Sequence, residues 1–417
     1  MASNGTSKSS RLRVLQIGKY FAPIRGGIES HLRDLCSELR KSVDLKVIVA
    51  NDSLRSERES IDGIDVLRLP RAMTLASAPI CPTMIASIRR EKADIVHLHL
   101  PNPAAAIACL LARPSGALVI TWHSDIVRQR RLVRLYKPLE RLLLNRCAAI
   151  IATSPAYIAS SPVLTEHADR CHLIPFGIYA EQFDDALVDQ SAVRELRRRF
   201  GSRVVLSVGR LVHYKGIKFL IRAMAKVDAK LVIIGDGPLR AELEREAASA
   251  GLFDRVIFLG EVDGNLINYF HASDVFALPS CERSEAFGIV QLEAMACGIP
   301  VVNTSINTGV PYVSPDGVTG FAVSPRSPDE IATALNRLLD DQHLREKMGR
   351  AARARVVNEF DIAEMAARTL DLYRSVLRDK GKHIRAVTPL HKRDQAKPPA
   401  INEDAPLPQQ ALRTSRD

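Results

Sequence analysis

Two glutamates, Glu285 and Glu293, stand eight positions apart in the stretch Ser280–Thr304, SCERSEAFGIVQLEAMACGIPVVNT. The patterns there run strand end, loop, apolar-periodic helix, strand, with Glu285 in the loop and Glu293 inside the helix. The first turn of a helix leaves backbone N–H groups unpaired and carries positive partial charge, so the donors around Phe287, Gly288 and Ile289 make a mouth for an anion. Gly288 removes the side chain where a phosphate would approach the backbone. One carboxylate meets a ligand at that mouth and the other reaches it from the flank. Phosphates on a helix end and hydroxyls on the acids describe a nucleotide-sugar. The same spacing in isolation also fits two surface glutamates of an amphipathic helix.

Other polar groups stand at strand ends. In IGKYFAPIRGGIESHLRDL, Gly26 and Gly27 precede a helix containing His31, and a glycine pair there lets N–H groups approach a phosphate. The spacing is not Gly-x-Gly-x-x-Gly, which weakens a dinucleotide-cofactor reading. In SVGRLVHYKG, Arg210 ends a strand and Lys215 precedes a helix, two cations suited to a leaving diphosphate. His97 and His99 in DIVHLHLPNP share one face of a strand, but no Cys, Asp or third His clusters with them in the sequence, so no metal site is expected. His99 either faces an acceptor cleft or is a hydrogen-bonded structural histidine. His123, in TWHSD, emerges at the carboxyl end of a parallel strand, where ligand groups collect and where structural histidines also occur. Trp122, the single tryptophan, is a packing residue.

The elements that must hold these residues follow from periodicity. Val- and Ile-rich runs at RVLQIG, DLKVIVA, IDVLRLP, DIVHLHL, ALVITWH, AAIIATS and CHLIPFG are mostly separated by helical patterns. Runs apolar on both faces and divided by helices indicate a parallel sheet covered on both sides. The pattern restarts at RVVLSVG, KLVIIGD, RVIFLG, VFALPS and PVVNT. An α/β chain of two doubly wound, Rossmann-like domains follows, 11–185 and 186–360, with the site in the cleft between the carboxyl ends of their strands. FDIAEMAARTLDLYRSVL predicts a last helix over 361–379, capped by Asp361. Residues 1–10 and 380–417 lack apolar periodicity and read as a disordered leader and tail.

A chain of 417 residues with 46% hydrophobic and 25% charged residues is ample for two soluble domains, and no apolar stretch is long enough to span a bilayer. Seven scattered cysteines, none in a Cys-x2-Cys pair, point to reduced thiols and a cytoplasmic protein. The net charge of +11 implies anionic partners. Nucleic acid is disfavoured, since aromatic residues make up only 5% and no stacking motif occurs. Arg128, Arg130, Arg131, Arg134, Lys137, Arg141 and Arg146 interleave with apolar residues in DIVRQRRLVRLYKPLERLLLNR. That basic amphipathic helix fits docking on an anionic leaflet, on the inner face of the plasma membrane, or a solvated helix face.

Taken together, SEAFGIVQLE, the Gly26–Gly27 loop, Gly-Arg at Arg210 and Lys-Gly at Lys215 resemble the retaining glycosyltransferases of the family-4 type, whose fold is GT-B. The likeness runs from Arg11 to about Arg378. It implies that Glu285 and His123 contact the donor sugar, Glu293 the ribose, and Arg210 and Lys215 the leaving phosphate. It also implies that Gly26 and Gly27 face the diphosphate, that Gly235 and Val262 lie on the nucleotide side, and that the last helix crosses back onto the first domain. LHLPNP, TWHSDIVRQ and LIPFGI are similar to bacterial mannosyl- and rhamnosyltransferases, implying a GDP-linked donor and a lipid-linked saccharide acceptor, with no further cofactor. SINTGVPYVSPDGVTG departs from the Gly-Gly-acidic pattern of many relatives and leaves the donor open. No aspartate stands two residues from another, so the Asp-x-Asp metal motif of the other common nucleotide-sugar fold is absent. A GT-B epimerase or a pyridoxal-phosphate phosphorylase is the alternative enzyme reading.

Overall fold

The computed structural model describes residues 11–24, 26–75, 78–126, 130–262 and 266–381, with side chains omitted at 130–133 and 380–381. The expected leader, and the tail from 382 onward, lie outside these residues.

The first lobe is built on an eight-stranded sheet. Its strands are β1 (Arg13–Ile17), β2 (Asp44–Ala50), β3 (Glu57–Ile61), β4 (Ile64–Leu69), β7 (Ile95–Leu100), β8 (Ala117–Trp122), β9 (Ala149–Ala152) and β10 (Cys171–Leu173), in the order β10-β9-β8-β7-β1-β2-β4-β3. Two short strands, β5 (Met73–Leu75) and β6 (Ala78–Ile80), pair separately and antiparallel. The second lobe carries β11 (Val204–Val208), β12 (Lys230–Ile234), β13 (Val256–Gly260), β14 (Val275–Ala277), β15 (Val301–Thr304) and β16 (Gly320–Val323), in the order β13-β12-β11-β14-β15-β16. Every pairing in the second sheet is parallel.

The strands expected from apolar runs are present, because residues such as Val47, Ile48, Leu98 and Val119 are buried between helices on both sides. Three findings differ from expectation. β3, ERESI, is an antiparallel edge strand whose side chains are mostly exposed, so it carries no apolar run to read. β16 is a four-residue strand, too short to stand out from the helical pattern around it. The basic stretch, expected to be helical from Ile126, is helical over Arg130–Arg146, and Ile126 itself is not in a helix; Arg128 lies outside the described residues.

The two lobes share a core. One cluster of buried side chains runs from Val47 and Val119 through Phe176, Phe287 and Phe360 to Leu206 and Val301. The chain passes between lobes twice, side by side: Ile178 N–H donates to Phe360 O at 2.9 Å, and Ile362 N–H to Ile178 O at 3.2 Å. Gly177 is needed there, since a Cβ would come 2.6 Å from Asp361 O. The last helix, Ile362–Gly381, is capped by Asp361 Oδ1 accepting from Glu364 N–H at 3.0 Å. It runs past the expected end at 379 and packs against the first-lobe helix Gly27–Leu39, so the expected return to the first domain occurs.

Candidate active site

In both sheets the strand order reverses at one point: between β1 and β7 in the first, between β11 and β14 in the second. Crevices open outside the carboxyl ends of parallel strands at such points. The Gly18–Gly27 loop follows β1, His99 lies near the end of β7, Arg210 follows β11, and the loop Ser280–Gly288 follows β14.

At the second-lobe crevice, Lys215 Nζ and Glu285 Oε2 form an ion pair at 2.6 Å, with the side chains only 13% and 10% exposed. Ser280 Oγ donates to the same Glu285 oxygen at 2.9 Å, and Thr304 Oγ1 donates to Ser280 O. Burial lowers the Lys215 pKa, but Glu285, with Tyr214 and Glu293, more than offsets this, so the ammonium is held above its ordinary value. Sequence reasoning placed a sugar-contacting acid and a phosphate-contacting base separately; the structure couples them.

Gly288 is left-handed, with φ at 73°, and caps the helix Ile289–Ala296. A Cβ there would lie 2.6 Å from Leu278 Cδ2 and strain the backbone. Gln291 N–H turns back onto Gly288 O at 2.9 Å, whereas the N–H groups of Phe287, Gly288, Ile289 and Val290 have no hydrogen-bond partner among the described residues. This is the free-donor mouth expected from the sequence. The Phe287 ring itself packs between Phe176 and Phe360, at 5.2 and 6.0 Å, and the Ile289 side chain lies against the shared core. Glu293 is half-buried, and its carboxyl is pushed up to about 7 by burial and then by Asp34 of the first lobe, with Lys215 pulling the other way.

Arg210 is exposed, and its charge acts on Lys19 in the first lobe. Lys19, half-buried beside Glu29, is a further cation of the cleft that sequence reasoning missed; its place directly after β1 was the available signal. Gly26 is the extended cap of the helix Gly27–Leu39, and Gly27 has open space where a Cβ would stand. Gly235 lies after β12, its N–H on Gly260 O at 2.7 Å, and Val262 packs half-buried against the core. Arg283, also missed, ties the Ser280–Gly288 loop to the first lobe through Asp125 at 3.0 Å and Ser160 at 2.9 Å.

The histidines require a correction. No third histidine near His97 and His99 was expected, yet His31, His99 and His123 bring ring nitrogens within 4.8 Å of one another. A helix and the ends of two strands converge there from distant parts of the chain, which spacing along one strand cannot reveal. His99 is 1% exposed and bonds at both nitrogens, to His123 Nε2 and to Gln16 Oε1, each at 2.9 Å. It therefore stands behind His123 instead of opening on an acceptor cleft. Both of its nitrogens are engaged in hydrogen bonds. Burial lowers the pKa of all four rings, His31 and His97 to about 3, so they are neutral.

The description "Glycosyltransferase Family 4" matches residues 25–182, and "Glycosyl transferases group 1" matches residues 189–355. The chain is 32% identical over 374 residues to the O-antigen chain mannosyltransferase C of Escherichia coli, covering 88% of this chain and 100% of that one. It is 33% identical over 349 residues to the D-rhamnosyltransferase WbpZ of Pseudomonas aeruginosa, covering 82% and 91%. Among solved structures, the sucrose-phosphate synthase of Thermosynechococcus elongatus superposes with a TM-score of 0.75 over 88% of this chain and all of that one, at 24% identity, a likeness of fold. With two Rossmann-like lobes in the GT-B arrangement, and full-length relatives at this level of identity, the chain belongs to the family-4 glycosyltransferases.

Proposed function

We propose that this glycosyltransferase moves a mannosyl or rhamnosyl unit, with retention at the anomeric carbon, from a GDP-linked donor to a lipid-linked saccharide in surface polysaccharide synthesis. The observation that carries the reading is the buried Lys215–Glu285 pair beside the unpartnered N–H groups at Phe287–Val290. A fixed cation and preorganised donors stabilise negative charge where the leaving diphosphate forms, in a site with little water. Arg210 and Lys19 add charge from the two sides of the cleft. Glu285, held by Lys215 and Ser280, accepts from donor-sugar hydroxyls, and Glu293 accepts from the ribose. The C–O bond to the diphosphate breaks as the acceptor oxygen bonds to the same face of the anomeric carbon, and the leaving phosphate takes the acceptor proton. No metal is needed in this scheme. The names of the mannosyl- and rhamnosyltransferase relatives support the sugar class.

A peripheral membrane position belongs to the same proposal. On the helix Arg130–Arg146, Leu135, Leu139 and Leu142 are 77%, 38% and 42% exposed, beside exposed Arg134, Lys137, Arg141 and Arg146. Leucines flanked by cations suit an anionic headgroup layer. No helix among the described residues is long and apolar enough to cross a membrane.

The deciding experiment incubates the protein with a panel of GDP-, UDP- and dTDP-sugars and follows slow donor hydrolysis. GDP-mannose or GDP-rhamnose hydrolysed first is expected. Preference for a UDP-sugar overturns the donor assignment, and no cleavage of any donor overturns the transferase chemistry proposed for this cleft.

A further inference from the structure

His123 is joined to the last helix by an unbroken line of buried hydrogen bonds. His123 Nε2 and His99 Nδ1 are 2.9 Å apart, and His99 Nε2 is 2.9 Å from Gln16 Oε1. Gln16 Nε2 donates to Tyr373 Oη at 3.0 Å. Tyr373 Oη lies 2.6 Å from His97 Nδ1, and His97 Nε2 lies 2.7 Å from Thr121 Oγ1. Gln16, His97, His99, His123, Thr121 and Tyr373 are each at most 4% exposed.

A neutral imidazole has one N–H and one lone pair, and an amide has distinct donor and acceptor ends, so these contacts have a direction. Gln16 Oε1 can only accept, which puts the His99 proton on Nε2 and leaves its Nδ1 as an acceptor. His123 must then carry its proton on Nε2. At the other end, Tyr373 Oη accepts from Gln16 and spends its own proton on His97 Nδ1, so His97 donates from Nε2 to Thr121. Each imidazole N–H of the line, the Tyr373 hydroxyl and one N–H of the Gln16 amide has an acceptor. The His123 Nδ1 lone pair is left over, with no hydrogen-bond partner among the described residues.

We propose that Tyr373 and Gln16 are positioning residues for the glycosyl-transfer site: through His99 they fix His123 as the Nε2–H tautomer, so that its bare Nδ1 accepts a hydrogen bond from a hydroxyl of the donor sugar. The functional half rests on the placement of His123 beside the donor sugar; the tautomer does not. The last helix thereby sets the hydrogen-bonding sense of a group in the cleft, a role beyond packing the lobes together.

The test uses the full chain with isotope-labelled histidine, reading the two ring nitrogens of His123 by NMR, with assignment from a His123→Asn sample. Wild type should show the proton on Nε2. In Gln16→Leu the His99 Nε2–H loses its only acceptor, and burying an unpaired donor is costly. His99 therefore moves its proton to Nδ1 and donates to His123, whose own proton shifts to Nδ1. Tyr373→Phe keeps the ring and removes only the hydroxyl, freeing the Gln16 amide to turn; a mixture of the two His123 tautomers is expected. Turnover should fall roughly two- to tenfold in Tyr373→Phe, the population shift that one hydrogen bond controls.

A wild-type His123 protonated on Nδ1, or a tautomer unchanged in both folded variants, overturns the relay. A tautomer that shifts with turnover unchanged overturns its catalytic purpose. If wild type cleaves no nucleotide-sugar at all, the proposed function fails, while the NMR result still decides the relay.

Discussion

Lys215→Met isolates the electrostatics of the cleft. Lys215 and Glu285 are 2.6 Å apart and nearly nine-tenths buried, and among the described residues Ser280 Oγ is the only other donor to the Glu285 carboxylate. Removing the ammonium strands a buried charge, which costs about 3–5 kcal/mol. Removing both charges, with Lys215→Met and Glu285→Gln together, removes the desolvation penalty along with the attraction, so the double variant should lie near wild type in stability. Urea unfolding followed by circular dichroism gives the four corners of the cycle, and with the double variant near wild type the coupling energy should be at least as large as the loss in Lys215→Met, about 3–5 kcal/mol. Activity should behave differently. A single preorganised electrostatic group is worth about 10²–10³ in rate, so the double variant should be stable yet as slow as Lys215→Met. A Lys215→Met variant less than about 1 kcal/mol weaker than wild type, or a double variant whose losses simply add, refutes the coupling.

Glu293 titrates near 7, above its ordinary 4.5, so the folded protein holds this proton more tightly than the unfolded chain. Its contribution to stability falls as pH rises from about 4.5 to 7 and is level above that. If its carboxylate accepts from the ribose, affinity for the nucleoside diphosphate should drop up to tenfold per pH unit below about 7. Calorimetry should show that slope vanish in Glu293→Gln, with about 1.5–3 kcal/mol of binding lost in Glu293→Ala. Replacing Arg134, Lys137, Arg141 and Arg146 by Gln should abolish cosedimentation with anionic liposomes, since each cation near such a surface contributes about 1 kcal/mol; equal recovery on neutral liposomes rules out the headgroup attraction. EDTA should leave turnover largely intact, and activity lost to EDTA and restored by Mg²⁺ or Mn²⁺ would falsify the metal-free scheme.

Most of the fold was legible because buried parallel strands are apolar on both faces, as in VVLSV and LVII. β3 was not legible: an edge strand exposed to solvent needs no apolar face, and ERESI has almost none. In the site, Gly288 and the two glutamates stood out because a helix start, a left-handed glycine and a carboxylate in the preceding loop are local features. Convergence was the part that spacing could not supply. His31, His99 and His123 come from a helix and two strands, Arg283 finds Asp125 across 158 positions, and Lys19 meets the charge of Arg210 only once the lobes face each other. The coupling of Lys215 to Glu285 was hidden for the same reason, although both residues were singled out separately.

The paired crossings at Ile178 and Asp361 also bear on how such enzymes could exchange parts. The first lobe is discontinuous in the sequence, because its last helix is contributed by the carboxyl end of the chain. A chimaera that grafts in a foreign 186–360 cassette inherits both crossings and keeps Tyr373 against Gln16 and His97. One that swaps everything beyond 186 brings a foreign helix onto the native first lobe and must re-match that buried face. Donor preference should therefore transplant with the internal cassette, whereas simple tail-for-tail recombination should yield lobes that fold against the wrong closing helix.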